Sequence, residues 1–144
     1  MDEIRPWLYI GKYRDTIDGA TLRVMSIDAM LELADDVKQP GISSLYLPVE
    51  DVAPIPFALI QSGVSFVREH KQLGQRVLVA CGAGINRSSA FCTAALKEEE
   101  KLGLLEAFKE VKRLHHDSAP HHPVWESLCE YYGEVVPYNT IILL

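Results

Sequence analysis

The amino-acid sequence predicts an α/β fold: a central, mostly parallel, twisted sheet of four to five strands flanked by helices. Three observations carry the prediction. Residues 76–80 (RVLVA) form a short, almost wholly apolar run, the sign of a strand buried on both faces. Stretches with helical apolar spacing alternate with strand-like segments, which implies crossovers and parallel pairing. The chain has 144 residues, 48% of them apolar and 24% charged, enough for one domain (1–144) with a real core.

The elements follow in order. Residues 7–11 (WLYIG) read as a short strand and 18–25 as a short helix. Residues 27–33 (IDAMLEL) alternate apolar and polar, as a strand does. Gln39, Pro40 and Gly41 supply turn chemistry before a strand over 44–49 (SLYLPV). Glu50 and Asp51 then enter a loop carrying Pro54 and Pro56. Residues 57–70 are helical, with Phe57, Ile60, Val64 and Val67 on one face. After the 76–80 strand and a run of small residues, Ser88 or Ser89 can cap a helix reaching Leu102, with Gly103 at its C-terminal end. Residues 104–115 form the next helix, 117–122 a loop, and 123–132 a last helix that opens with proline in its first turn. No internal repeat or low-complexity linker interrupts the pattern.

Composition excludes several classes. A net charge of −6 argues against nucleic acid or an anionic membrane as the main partner, since both need a basic footprint. No apolar run approaches the roughly 20 residues of a membrane span. The N-terminal MDEIRPW is acidic and lacks an apolar stretch, so it does not read as a signal peptide, and a cytoplasmic location is expected. Cys81, Cys92 and Cys129 are odd in number and widely spaced, which fits neither a disulfide framework nor a zinc site. Free thiols in a reducing compartment fit better, and one of them is a candidate nucleophile. No metal and no cofactor is expected, and the chain is expected to act as a monomer.

Residues 79–88 (VACGAGINRS) carry the chemistry. A buried strand enters a loop and a helix leaves it, and ligands of open α/β sheets sit at the carboxyl ends of strands. The helix N-terminus offers unpaired N–H groups and positive potential. Gly82 and Gly84 permit positive φ, so the loop can turn successive N–H groups inward as an anion nest. Arg87 adds a guanidinium fork suited to two phosphate oxygens. Cys81 stands at the start of the nest, where the donors that hold an anion also favour a thiolate. Gly82, Ala83, Gly84, Ile85, Asn86 and Arg87 are therefore the candidate phosphate-binding residues.

The segment resembles the signature loop of cysteine-dependent protein phosphatases, Cys-x2-Gly-x2-Arg followed by Ser or Thr, with Gly84, Arg87 and Ser88 on the matching positions. The resemblance is closest to the small dual-specificity phosphatases and runs from about Ile4 to Tyr132. It includes residues 7–11, the segment 47–51 (LPVED), residues 107–111 with Arg113, and the loop into Trp125. It implies the phosphatase fold and a two-step reaction. Cys81 would attack the phosphorus and become a thiophosphate, while Arg87 and the loop amides hold the equatorial oxygens. Asp51 would protonate the departing oxygen and then activate water. Ser88 would stabilise Cys81 as a leaving group. Glu50 is adjacent to Asp51 and could do its work; strand alternation turns the two to opposite sides. Asp117 is a weaker third carboxylate. The family normally carries a histidine before the nucleophile, and this chain has Ala80 there, which predicts lower activity near neutral pH.

The loop interior holds no lysine or arginine, which favours a singly phosphorylated group over a polyphosphate. Phosphotyrosine in proteins, with phosphoserine and phosphothreonine, is the expected substrate class, and small phosphoesters would also be cleaved. The alternatives are a pseudophosphatase that binds phosphoproteins with little turnover, and a sulfur-transfer or arsenate-reducing enzyme. His115, His116, His121 and His122 read as surface or interface residues, and Cys92 and Cys129 as core. Residues 97–101 (KEEEK) read as a solvated face, Trp125, Tyr131 and Tyr132 as packing, and the apolar tail 141–144 as cover for core or an edge.

Overall fold

In the computed structural model, which describes all residues 1–144, five strands form one sheet. They are β1 (Asp2–Arg5), β2 (Leu8–Lys12), β3 (Ala29–Glu32), β4 (Ser43–Tyr46) and β5 (Val77–Cys81), in the spatial order β1-β2-β5-β3-β4. Only β1 and β2 pair antiparallel; β2–β5, β5–β3 and β3–β4 are parallel. Seven helices complete the chain: α1 (Tyr13–Thr16), α2 (Gly19–Val24), α3 (Phe57–Gln72), α4 (Arg87–Glu100), α5 (Leu104–Leu114), α6 (His122–Tyr132) and α7 (Tyr138–Ile142). None is long and apolar enough to cross a membrane.

The apolar reading of β5 holds because the strand is central and covered twice. Val77, Val79 and Cys81 face the larger core, with Phe91 of α4, Phe108 of α5 and Trp125 of α6. Leu78 and Ala80 face a smaller cluster with Tyr9, Leu22, Ile27 and Met30. Full burial of each large apolar side chain contributes about 1.5–3 kcal/mol, so the strand that delivers Cys81 is firmly held. Gly63 lets α3 close on α4, since a Cβ there would lie 2.5 Å from the Phe91 ring.

Several expectations are corrected. The strand over 44–49 pairs only as far as Tyr46, because Pro48 cannot donate to a ladder. Beyond it the chain still runs along the sheet: the Leu47 and Val49 amides donate to Glu32 O at 2.9 Å and Leu33 O at 3.3 Å. That course brings Asp51 to the carboxyl end of the sheet. Neither Ser88 nor Ser89 caps α4; Asn86 is the N-cap residue, without a side-chain capping bond. The helix stops at Lys101 in the left-handed region (φ 55°), and Gly103 instead begins α5 as its N-cap. Residues 97–101 are not a free solvated face. Arg68 pairs with Glu98 and Glu99, Arg5 with Glu100, and Lys97 with Glu134. In the tail Ile141 is buried, whereas Ile142, Leu143 and Leu144 are exposed.

Candidate active site

The nest is built by one turn of backbone between β5 and α4. Cys81 lies opposite Lys12 in the parallel register, and the Tyr13 N–H donates to Gly82 O at 3.2 Å, tying α1 to the loop. Gly84 has φ +71°, and a Cβ there would come 3.0 Å from Gly11 O, so conformation and close approach both require glycine. Gly82, also read as a positive-φ position, does not adopt one. The N–H groups of Gly82, Ala83, Gly84, Ile85 and Asn86 donate to no acceptor in the protein. A 14-residue helix leaves the loop and adds its own positive end.

Cys81 is buried and belongs by packing to the larger core, yet its sulfur is not enclosed by aliphatic groups alone. Sγ lies 3.2 Å from Ser88 Oγ, and that hydroxyl can donate to the sulfur once it is ionised. Ser88 sits in the first turn of α4, one residue after Arg87, so strand, loop and helix bring the two side chains together. The hydroxyl of Ser89 is occupied elsewhere, donating to Ile85 O at 2.6 Å.

Arg87 Nη1 is anchored: it donates to Val49 O at 2.9 Å and Leu33 O at 3.3 Å. Nη2 lies beside Gly82, 3.5 Å from where a Cβ would stand. Nε is 3.3 Å from Asp51 Oδ1, close enough for an ion pair but not aligned for a hydrogen bond. One corner of the guanidinium is thus fixed to backbone, while the Nε and Nη2 edge, shaped for a bidentate oxyanion, faces Asp51 Oδ1 through Nε and stands beside Gly82 through Nη2.

Asp51 is brought to this edge, whereas Glu50 is exposed and its side chain makes no hydrogen bond or ion pair. Two groups orient Asp51: Arg87, and the side-chain amide of Asn86, which donates to Asp51 Oδ1 at 3.0 Å and to Asp51 O. Asn86 Oδ1 accepts from the His121 N–H at 2.7 Å, so this buried amide joins the Asp51 loop, the nest and the start of α6. Sequence alone assigns Asn86 no chemistry beyond lining the loop. Its signal was positional: a side chain with both donor and acceptor immediately before the arginine.

Two further residues escaped the sequence reading. His115 is not a free surface residue: its Nδ1 lies 2.6 Å from Asp2 Oδ2 and its Nε2 2.7 Å from Gly84 O, which ties β1 to the apex of the loop. Glu32 ends β3 fully buried, and burial pushes its carboxyl up to about 7. A carboxylate in an otherwise apolar strand was the available signal. Asp117 is exposed beside His115 and forms no ion pair. Cys92 is fully buried and burial pushes its thiol well up, in keeping with core packing; Cys129 is half-buried and raised for the same reason.

A thiol at the start of a loop of unpaired amides, a half-anchored guanidinium and a carboxylate beside it form a candidate oxyanion site on a mostly parallel sheet. Residues 8–134 match the family model described as dual specificity phosphatase, catalytic domain, and the chain belongs to that family. It is 35% identical over 115 residues to dual specificity protein phosphatase 2 of Mus musculus, covering 77% of this chain and 36% of that one. To dual specificity protein phosphatase 2 of Homo sapiens it is 30% identical over 146 residues, covering 98% of this chain and 44% of that one. The chain therefore spans about a third to under a half of these curated relatives. Human DUSP28 superposes with a TM-score of 0.86 at 25% identity, over 92% of this chain and 96% of that one. DUSP15 shares the fold, with a TM-score of 0.83 at 23% identity over 90% and 85% of the two chains.

Proposed function

We propose that residues 1–144 form one catalytic domain that hydrolyses phosphomonoesters in proteins, phosphotyrosine first and phosphoserine and phosphothreonine with it. The observation that carries this reading is the placement of Cys81 Sγ, 3.2 Å from Ser88 Oγ, at the start of a loop whose five amides have no acceptor in the protein. Family membership supports it independently.

In this reading Cys81 attacks phosphorus in line with the ester oxygen. The S–P bond forms as the P–O bond breaks, and Asp51 delivers its proton to the leaving oxygen. The amides of Gly82, Ala83, Gly84, Ile85 and Asn86, with Arg87 Nε and Nη2, carry the charge on the equatorial oxygens. Asp51, now a carboxylate, takes a proton from water as it attacks the thiophosphate. Ser88 then donates to the departing sulfur. Each group returns to its starting state and inorganic phosphate leaves.

The nest has no lysine or arginine within residues 82–86, which suits a single phosphate. Three unpaired cysteines suit a reducing compartment such as the cytoplasm. The pseudophosphatase alternative rests on Ala80 alone and is not favoured beside Cys81, Arg87 and Asp51 together. Phosphate release from a chromogenic aryl phosphate tests the reading. Turnover lost in Cys81→Ser supports it; binding of the ester with no release of phosphate overturns it.

A further inference from the structure

Behind the nest lies a cavity of about 10 Å³ lined by Tyr13, Thr16, Glu32, Ala34, Asp35, Ala80 and Cys81. It is large enough for at most one water molecule. Glu32 and Ala80 are register partners on adjacent strands, so their side chains share one face of the sheet. The carboxyl of Glu32 is only half satisfied. Oε2 accepts from the Val37 N–H at 2.9 Å, whereas Oε1 is buried with no partner. A buried, unpaired carboxylate oxygen is costly, so the site favours the neutral acid. Because Oε2 accepts, the proton of that acid belongs on Oε1, the oxygen left free in this space.

We propose that Glu32 is a positioning residue for the nucleophile, supporting the start of the loop as a neutral acid and opposing the Cys81 thiolate once it ionises. This rests on the reading of Cys81 as the nucleophile. In its neutral form Glu32 places no charge behind the loop, and Oε1–H is a donor next to the residue pair 80–81. Glu32 shares its face of the sheet with Ala80, opposite the face taken by the Cys81 side chain, so loss of that proton puts a second anion across the backbone of residues 80–81 from the thiolate, and like charges disfavour each other. The carboxyl sits at about 7, so the change falls within the working range of such an enzyme. The groups around Glu32 do not cancel the effect: Asp35 and Asp36 are acidic, Lys38 is an exposed cation already paired with Asp36, α1 contributes the hydroxyls of Tyr13 and Thr16, and Arg87, fixed to Leu33 O and Val49 O, is the same in parent and variants.

The test compares the parent with Glu32→Gln and Glu32→Ala. Iodoacetamide modification of Cys81 is followed by mass spectrometry across pH, beside the pH profile of kcat/KM for an aryl phosphate. The ratio of Glu32→Gln to parent modification rate is expected to rise about tenfold from mildly acid to mildly alkaline pH, the effect of one like charge at a partly screened distance. Glu32→Ala, which also lacks the donor, is expected to react more slowly than Glu32→Gln at acid pH. Identical pH profiles in the parent and Glu32→Gln would overturn the proposal, because a purely structural role would scale rates without changing their pH dependence. If aryl phosphate is not hydrolysed by the parent while the modification profiles still separate, the phosphatase reading fails and the coupling of Glu32 to Cys81 stands.

Discussion

The side-chain amide of Asn86 donates to the Asp51 carboxylate at 3.0 Å, and its carbonyl oxygen accepts from the His121 amide at 2.7 Å. One buried side chain therefore holds the proposed acid against the proposed phosphate site. Asn86→Asp keeps the acceptor for His121 but turns a second carboxylate on Asp51. The expected outcome is a roughly tenfold or greater fall in kcat, the effect of misplacing a general acid. Asn86→Ala also leaves the His121 N–H unpaired and is expected to lower stability by about 1–3 kcal/mol in a urea titration.

Asp51 and Glu50 are separable by kinetics. Asp51→Asn is expected to lower kcat about 10²–10⁴-fold on an alkyl or phosphoserine ester, where the leaving oxygen needs a proton. The loss should be smaller on p-nitrophenyl phosphate, whose leaving group is stable as an anion. Glu50→Gln is expected to stay within about twofold of the parent, since Glu50 is exposed and contacts none of the site groups. A larger loss in Glu50→Gln than in Asp51→Asn would reverse the assignment.

Ser88 acts in the second step if its 3.2 Å contact with Cys81 Sγ stabilises the departing sulfur. Ser88→Ala should then show a burst of the first product followed by slow turnover in rapid-mixing kinetics. Slow turnover with no burst would place its effect before the thiophosphate forms.

Stability carries its own pH signature. Burial raises the Glu32 carboxyl from its ordinary 4.5 to about 7. The folded state thus binds a proton that the unfolded state has released between those values. Stability from this group is present in full below about 4.5 and is lost as pH rises through 7. The loss amounts to roughly 3 kcal/mol. Urea unfolding on either side of this window should show the decline in the parent and its absence in Glu32→Gln.

Much of this was legible in the sequence, for identifiable reasons. β5 announced itself because a strand covered on both faces must be apolar throughout. Cys81, Gly84 and Arg87 were legible because an anion nest needs small residues, a positive-φ position and a cation at fixed spacing. Contacts that close over long separations were not legible. Asn86 meets Asp51 across 35 residues, and His115 meets Asp2 across 113. β1 was missed because its four residues (DEIR) include three charged ones and pair only along one edge, and α1 and α7 because four and five residues show no helical period. The capping of α4 was misread because Ser88 turns to Cys81 and Ser89 to Ile85, leaving neither hydroxyl for the helix end.

The central claim is that the Cys81 sulfur takes the phosphoryl group. It is tested most directly by acid-quenching the protein during turnover of an aryl phosphate and mapping the covalent product by mass spectrometry. A phosphoryl adduct on the peptide containing Cys81, increased by Ser88→Ala and absent in Cys81→Ser, is the predicted result. Steady phosphate release with no adduct on Cys81, or release undiminished in Cys81→Ser, would contradict it.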